Sequence, residues 1–182
     1  DNLKTKENYY YINQSRFKEI PGMPFIYWIS NNLRNAFKEN PTLGEFYPPK
    51  QGLATADNER FVRNWFEVNI SNICFDAKTN EEARKSRKKW FPYNKGGDYR
   101  KWYGNNEYVV NWENDGYEIK NFMDDKEKVR SRPQNLPYYF KKGITWSLFG
   151  FENFGVRYKD NGFIFDVSGS SMFPDENDIK YI

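Results

Sequence analysis

The sequence predicts an α+β fold: a mostly antiparallel, aromatic-rich β-sheet module with an N-terminal amphipathic helix and a short basic helix. Aromatic residues make up 20% of the 182 residues, so the core must be built largely from rings, which favour strands. Short β-type strings recur from Tyr108 to the C-terminus. Two separate segments before Tyr108 carry helix signals. A chain of this length is long enough for a core of its own.

The first predicted helix is amphipathic, follows Pro24 and ends near Asn40. Its apolar residues recur at helical spacing: Phe25, Trp28, Ile29, Leu33 and Phe37. This face is either part of a core or a docking surface. We therefore divide the chain into a connecting segment that includes this helix, residues 1–41, and a principal region, residues 42–182.

The second predicted helix is short and basic. Thr79 and Glu82 have the capping-box spacing, so the helix should begin after Thr79 and run toward Lys89. Its surface is almost wholly polar, and such a helix gains little from packing. Its cationic end is therefore either solvated or pressed against an anionic partner.

Strands are predicted from Tyr108 to Trp112 and from Ile144 to Leu148. A β-hairpin is expected around Asn161-Gly162, because this pair supplies two positive-φ positions. The hairpin would join two strands whose faces carry, respectively, Phe154, Val156 and Tyr158, and Phe163, Phe165 and Val167.

Composition excludes several function classes. The chain has no histidine, which removes the commonest general base and the commonest metal ligand. Its single cysteine, Cys74, lies in an apolar context and is predicted to be a buried residue of a protein in a reducing compartment. No apolar run approaches the ~18 residues that a membrane-spanning helix needs. We expect no catalytic residue, no metal site and no membrane partner, and a cytoplasmic location.

Positive charge is concentrated in one segment. Between Arg84 and Lys101, eight lysines and arginines accompany a single acid, Asp98, which gives +7 where the whole chain carries +3. In the string KWFPYNKGGDYRKWYGNN, cations alternate with aromatic rings and paired glycines. Ion pairing and stacking together favour a polyanion as the partner. The alternative is a solvated helix that leads into an aromatic-lined loop.

Two further segments carry hydrogen-bond donors. The passage from Gln51 to Phe61 is turn-rich and leads into an aromatic strand, and residues 130–135 read RSRPQN. Donors of the kinds used on phosphates and base edges lie in the first passage and at the start of the strand that follows it: Thr55, Asn58, Arg60 and Arg63. Taken alone, both segments are equally consistent with ordinary turns.

Several strings resemble a known family: IPGMPFIYWIS, QGLATADNERF, KWFPYNKGGDYRKWYGNNEYVVNWENDG, RSRPQN, YYFKKGITWS and GFIFDVSGSSMFP. They are similar to the region that follows the catalytic domain in the PglX family, the adenine-specific DNA methyltransferases of BREX phage-resistance systems. Fused type IIG restriction-modification enzymes carry related strings. The similarity extends over essentially the whole chain.

The resemblance implies a target-recognition region at residues 42–182, joined through residues 1–41 to an upstream methyltransferase domain. Such a region reads duplex DNA while the separate domain flips the adenine and transfers a methyl group from S-adenosylmethionine. The family's catalytic tetrapeptide and cofactor pocket lie upstream, and Tyr47-Pro48-Pro49 has the wrong residue order for that tetrapeptide. No glycine-rich turn follows a predicted strand in the way a nucleotide-like cofactor requires. We expect a catalytically silent chain without a cofactor, and the other expected partners are further defence-system subunits or a phage inhibitor.

The resemblance also implies DNA-contacting residues. Carried over by position, the candidates are Gln51, Thr55, Asn58, Arg60, Lys95, Arg100, Lys101 and Asn105. Trp102 and Tyr103 either pack beneath the basic loop or stack on DNA, and packing is the expectation because the bases of a duplex expose no faces for stacking. One position departs from the family: Ala56 stands where relatives have glycine, and a positive φ there would cost on the order of 1 kcal/mol.

Two other functions compete with DNA recognition. A carbohydrate-binding module would also be β-rich, free of histidine and crowded with Trp and Tyr, although it would not explain the +7 segment. A protein-interaction module would place the basic stripe against an acidic partner. It would bind without any preference among DNA sequences.

Overall fold

A computed structural model describes residues 10–149 and 153–182. The chain separates into two compact units, Asp1–Pro48 and Pro49–Ile182, which divide a short distance after the predicted boundary at residue 41. Within the described residues, no helix is both long and apolar enough to cross a membrane.

The N-terminal unit contains a 3₁₀ helix, Gln14–Glu19, and two α-helices, α1 (Asn31–Glu39) and α2 (Leu43–Phe46). Helix α1 ends at the predicted place but begins later than predicted. The Ser30 hydroxyl caps it by accepting a hydrogen bond from the Leu33 N–H at 3.2 Å, and this cap fixes the first turn after Ser30. The segment from Phe25 to Ile29 is therefore not helical.

The described residues of the C-terminal unit form two sheets, three α-helices and three 3₁₀ helices. The α-helices are α3 (Asn58–Phe61), α4 (Asn80–Ser86) and α5 (Glu113–Lys120), and the 3₁₀ helices are Trp65–Glu67, Ile70–Asn72 and Leu136–Tyr138. Its strands are β1 (Val62–Asn64), β2 (Trp90–Asn94), β3 (Tyr108–Asn111), β4 (Gly143–Trp146), β5 (Val156–Lys159), β6 (Ile164–Phe165) and β7 (Ser171–Met172). The strand orders are β1-β3-β2-β6 and β5-β4-β7. All strand pairs are antiparallel except β2 with β6, which confirms the mostly antiparallel α+β class.

The core of this unit is built largely from rings, as the composition predicts. Fully buried aromatic side chains come from α3, β2, β6 and the segments around them: Phe61, Phe91, Tyr93, Trp112, Tyr139, Phe140 and Phe165. Several meet edge to face, as in the Phe91–Phe140 pair with centroids 5.6 Å apart. Cys74 is buried in this cluster, as predicted.

The basic helix α4 has the predicted N-cap and a shorter length. The Thr79 hydroxyl accepts a hydrogen bond from the Glu82 N–H at 3.1 Å. The Glu82 carboxylate bonds the N–H of Lys78, one residue before the cap. The helix ends at Ser86, because Arg87 adopts a left-handed conformation with φ +53°.

The predicted hairpin around Asn161-Gly162 is wrong. Strand β5 pairs with β4, whereas β6 pairs in parallel with β2 in the other sheet. Of the two turn residues only Gly162 has a positive φ, and its N–H bonds the Phe140 carbonyl at 3.0 Å. The turn therefore transfers the chain between sheets. Ile164 and Phe165 are both fully buried, which suits an interior parallel strand rather than a hairpin strand with one face in water.

Strand β5 has an inverted face pattern. Its apolar positions are exposed or half-exposed, while Arg157 and Lys159, which alternate with them, are buried at 1% and 2% exposure. Their cross-strand partners on β4 are Thr145 and Gly143. Two cations thus lie in the interior on the same side of one short strand.

Candidate nucleic-acid interface

The connection between β2 and β3, residues 95–107, is here named the basic loop. It contains Lys95, Arg100 and Lys101, and two anchors hold it. The Ser147 hydroxyl after β4 donates to the Gly97 carbonyl at 2.8 Å and accepts from the Gly97 N–H at 3.0 Å. Further along, the Trp102 N–H bonds the Val156 carbonyl at 3.0 Å, and the Trp102 carbonyl accepts from the Tyr158 N–H at 2.8 Å. The loop is therefore fixed along the outside of β5.

Aromatic rings lie beside the cations of the basic loop. Lys95 Nζ lies 5.8 Å from the Tyr108 ring centroid, and Lys101 Nζ lies 5.8 Å from that of Tyr99. Trp102 and Tyr103 are 72% and 64% exposed, so the expectation that they pack beneath the loop is wrong. The backbone of Trp102 is left-handed, with φ +70°, and forms a bridge with Arg157 of β5. Its ring is exposed.

The cations of the basic segment are almost free of ion pairs. Of the eight between Arg84 and Lys101, only Lys85 pairs with a carboxylate among the described residues, to Glu81 at 2.7 Å on the same helix. Lys88 instead donates to the Ser71 carbonyl at 2.5 Å. The positive charge of this surface is therefore left for solvent or for an anionic partner.

The two donor-bearing segments of the sequence meet in the fold. Ala54 and Arg132 form an antiparallel bridge, with N–H to carbonyl bonds of 3.1 and 2.8 Å. The Asn135 side-chain amide donates to the Gln51 carbonyl at 2.8 Å. Arg60 and Arg130 both lie over the Phe122 ring, at 5.2 and 5.0 Å. The structure thus joins residues 51–60 and 130–135 into one polar surface, here named the paired-loop surface.

This surface is attached to the sheet that carries the basic loop. Leu53 forms a parallel bridge with Asp166, directly after β6, and the Asp166 N–H bonds the Asn94 carbonyl at 2.9 Å. The Tyr93 hydroxyl lies 3.0 Å from the Leu53 carbonyl and 2.5 Å from the Asp166 carboxylate. Burial, reinforced by the Asp166 charge, raises the pKa of Tyr93. Leu53 and β2 both run parallel to β6, one on each side of it, so Thr55 and Lys95 follow chain segments that end at the same edge of the sheet with β6 between them.

The eight candidate residues fall into two groups. Five are exposed and Lys95 is half-buried; the exposed residues are Gln51, Asn58, Arg60, Arg100 and Lys101. Thr55 and Asn105 are buried, at 3% and 6% exposure. The Thr55 hydroxyl donates to the Asn58 side chain at 2.8 Å, and the Asn105 amide donates to the Asp98 carbonyl at 3.0 Å. These two side chains hold the loops in shape.

Ala56 occupies the position where a glycine was expected to be needed. Its φ is +62°, within the left-handed region that a residue with a Cβ adopts at a cost. Alanine therefore adopts a left-handed backbone conformation in this loop. The following turn is stabilised by the Asp57 carboxylate, which accepts from the Arg60 N–H at 3.0 Å.

Sequence reasoning missed the buried cation Arg157. Its Nη1 donates to the Ser147 hydroxyl at 3.4 Å, while Nε and Nη2 have no partner among the described residues. Burial lowers the pKa of Arg157, and the charge of Glu107 opposes this shift. The only sequence signal was its alternation with the aliphatic and aromatic residues of β5, a pattern that ordinarily places the cation in solvent.

The geometry defines a class: a basic α+β module with un-neutralised surface cations and no ion-binding cluster of His, Cys, Asp or Glu in the described ranges. No protein-family model matches the sequence. The chain is similar to the adenine-specific methyltransferase PglX of Lacticaseibacillus casei (strain Zhang), with 38% identity over 173 residues, which cover 93% of the chain. It is also similar to the adenine-specific methyltransferase BrxX of Escherichia coli O9:H4 (strain HS), with 40% identity over 166 residues, which cover 91% of the chain.

The chain is therefore PglX-like over nearly its whole length, as its motifs predict. It spans 14% of the length of the first relative and 12% of the second. Most of each relative consequently has no counterpart in these 182 residues.

Proposed function

We propose that this chain is the DNA target-recognition region of an S-adenosylmethionine-dependent, adenine-specific DNA methyltransferase that acts in bacterial phage defence. The C-terminal unit binds duplex DNA and positions the target adenine, and a separate catalytic domain binds the cofactor and transfers the methyl group. The observation that supports this most directly is the exposed positive charge of the basic segment, of which only Lys85 is ion-paired among the described residues. The similarity to adenine-specific methyltransferases supports DNA as the polyanion in this proposal.

The two surfaces suit different parts of the duplex. Lys95, Arg100 and Lys101 lie on a loop fixed to β5, and ammonium and guanidinium groups there suit phosphates. The exposed amides and guanidinium of Gln51, Asn58 and Arg60 suit base edges in the major groove. In this proposal Thr55 and Asn105 act by holding those loops.

The proposal assigns catalysis and cofactor binding to other parts of the protein. The N-terminal unit is the connection to the upstream methyltransferase domain, which is the first protein partner. Other defence-system subunits or a phage inhibitor would be further partners. Exposed rings of the N-terminal unit, including Phe25 and Trp28, are consistent with docking on another domain.

A salt titration tests DNA binding. Fluorescence anisotropy with a random-sequence duplex compares the wild type with Lys95→Glu/Arg100→Glu. Each phosphate contact contributes about 0.9 to the slope of log affinity against log salt, so the variant should bind more weakly and lose about 2 from that slope. The same comparison made with the parent enzyme and DNA of defined sequence tests base reading, where loss of Arg60 should relax specificity at one position.

Lys126→Glu/Lys128→Glu is the matched control, because it makes the same charge change at exposed lysines outside both surfaces. Equal weakening by the two double variants would show that net charge, rather than the basic loop, governs binding. Duplex binding that both variants leave unchanged would refute the placement of the DNA surface.

The exposed rings of Trp102 and Tyr103 favour a second candidate, a carbohydrate-binding module. Rings at this exposure could lie on sugar faces, as they could on bases. A soluble polysaccharide in the same titration separates the two functions: saturable polysaccharide binding without a DNA response would replace the DNA proposal. An acidic protein partner would instead compete for the basic loop and show no preference among DNA sequences.

A further inference from the structure

A cavity of about 650 Å³ lies where the basic loop meets residues 147–149 and 153–155. Its lining includes three aromatic rings, two polar side chains and one cation: Tyr99, Phe149, Phe154, Ser147, Asn153 and Arg157. Gly97 and Gly155 also line it. A cavity of this size is suited to a small molecule or to one nucleotide.

Arg157 is the unusual member of this lining. It is 1% exposed, and its Nε and Nη2 have no hydrogen-bond partner among the described residues. The weak bond of Nη1 to Ser147, 3.4 Å long, leaves most of the guanidinium unsatisfied. A buried cation that forms no ion pair with the described residues is costly, and burial lowers the pKa of this group. An anion in the cavity would offset that cost.

The rings define the rest of the ligand. Tyr99, Phe149 and Phe154 expose about half of their surface or more, so flat faces are available beside the cation. A simple anion would leave these rings uncovered, and a hydrocarbon would leave Arg157 unpaired. A ligand with a planar ring and a negative group would cover the aromatic rings and pair with Arg157. Asp98, the carboxylate in the lining, would repel a second anionic group and accept from an exocyclic amine.

We infer that this cavity binds one nucleotide unit, with its phosphate toward Arg157 and its base against the aromatic rings. The unit could be a free nucleotide or a nucleotide turned out of a DNA strand. The first source goes beyond the proposed function, and the second rests on it. Either source places a second, separate nucleotide contact beside the basic loop.

Calorimetric titration with the four deoxynucleoside 5′-monophosphates tests the inference, with inorganic phosphate and deoxyadenosine as the two halves of the ligand. At least one nucleotide should bind more tightly than either half. Phe154→Ala should weaken nucleotide binding about tenfold, a typical loss for one stacking ring. Phe66→Ala is the matched control, because Phe66 is 67% exposed and Phe154 70%, and Phe66 lies outside the cavity.

Arg157→Lys tests the cation while it retains the positive charge. It should weaken binding of the nucleotide and of phosphate and leave the deoxyadenosine affinity unchanged. Circular dichroism shows whether Arg157→Lys remains folded. If it does not, the inference is tested by comparing Phe154→Ala with Phe66→Ala, which both change exposed residues. The inference is overturned if no nucleotide or oligonucleotide binds in a Phe154-dependent way, or if the two phenylalanine variants bind equally.

Oligonucleotides distinguish the two sources. A duplex with one unpaired nucleotide that binds more tightly than the mononucleotide, and loses this advantage in Phe154→Ala, identifies DNA as the source. Equal affinity for the mononucleotide and the unpaired duplex identifies a free nucleotide. Binding of fully paired duplex should depend on Lys95 and Arg100 and not on Phe154. Loss of the DNA-binding proposal would therefore be seen with paired duplex, and loss of the nucleotide site with the mononucleotides.

Discussion

Replacing Lys159 by methionine should remove a pH dependence of folding stability. Lys159 is 2% exposed. Its ammonium donates to the Lys141 carbonyl and lies over the rings of Phe165 and Phe173, 5.9 and 5.1 Å from their centroids. Burial lowers its pKa from 10.5 to about 7, although the charge of Asp160 acts in the opposite direction. Methionine keeps a similar apolar volume and carries no charge.

The lowered pKa of Lys159 determines whether folding stability rises or falls with pH. Between about pH 7 and pH 10.5 the unfolded chain binds more protons at this site than the folded chain, so stability rises with pH in that window and is flat below it. The cost of the buried ammonium is about 4 kcal/mol at pH 7 and about 2 kcal/mol at pH 9. Losing the bond to the Lys141 carbonyl costs about 1–2 kcal/mol, so Lys159→Met should be more stable than wild type by about 2–3 kcal/mol at pH 7.

Urea unfolding at pH 7, 8 and 9 measures this difference. Wild type should gain about 2 kcal/mol across the series, and Lys159→Met should lose that gain. Lys126→Met, which removes an exposed ammonium, should keep the wild-type slope. Burial raises the pKa values of Tyr93 and Tyr139, so neither phenol titrates in this range. If the free energy of unfolding changed with pH equally in wild type and in Lys159→Met, the reasoning would be refuted.

Three further substitutions should change the free energy of unfolding in urea. Ala56→Gly should stabilise by about 1 kcal/mol, because φ is +62° there, and an unchanged or lower stability would contradict strain at this residue. Gly162→Ala should destabilise by about 2 kcal/mol or more, since φ is +91° and a Cβ would lie 2.1 Å from the Phe75 carbonyl oxygen; full tolerance would contradict the close approach. Thr79→Ala should cost about 1 kcal/mol through loss of the bond from the Glu82 N–H, whereas Thr79→Ser should retain most of it.

Local features of the candidate site followed from the sequence because they depend on neighbours along the chain. The cap at Thr79 and the charge between Arg84 and Lys101 are set by residue type and spacing within a few positions. The motifs likewise indicated the PglX-like similarity, which is a property of the sequence alone. The sequence allowed individual donor residues to be named, but it did not show which donor-bearing segments lie on the same surface.

The pairing of distant segments was decided by the tertiary structure. Asn161-Gly162 has the local form of a hairpin turn, yet β6 is paired with β2 because burial of Ile164 and Phe165 on both sides outweighs the local preference. The same long-range packing brings Ala54 to Arg132.

The sequence by itself determined the α+β class, the concentrated charge and the family resemblance, since composition and short motifs survive in any arrangement of the strands. Only the tertiary structure decided which residues share a surface and which charges lie inside. Strand β5 alternates in the ordinary way, but the other strands and loops that cover it, not its own pattern, place Arg157 and Lys159 in the interior. Burial is a property of everything packed around a side chain, and for these two cations the surrounding residues are far away in the sequence.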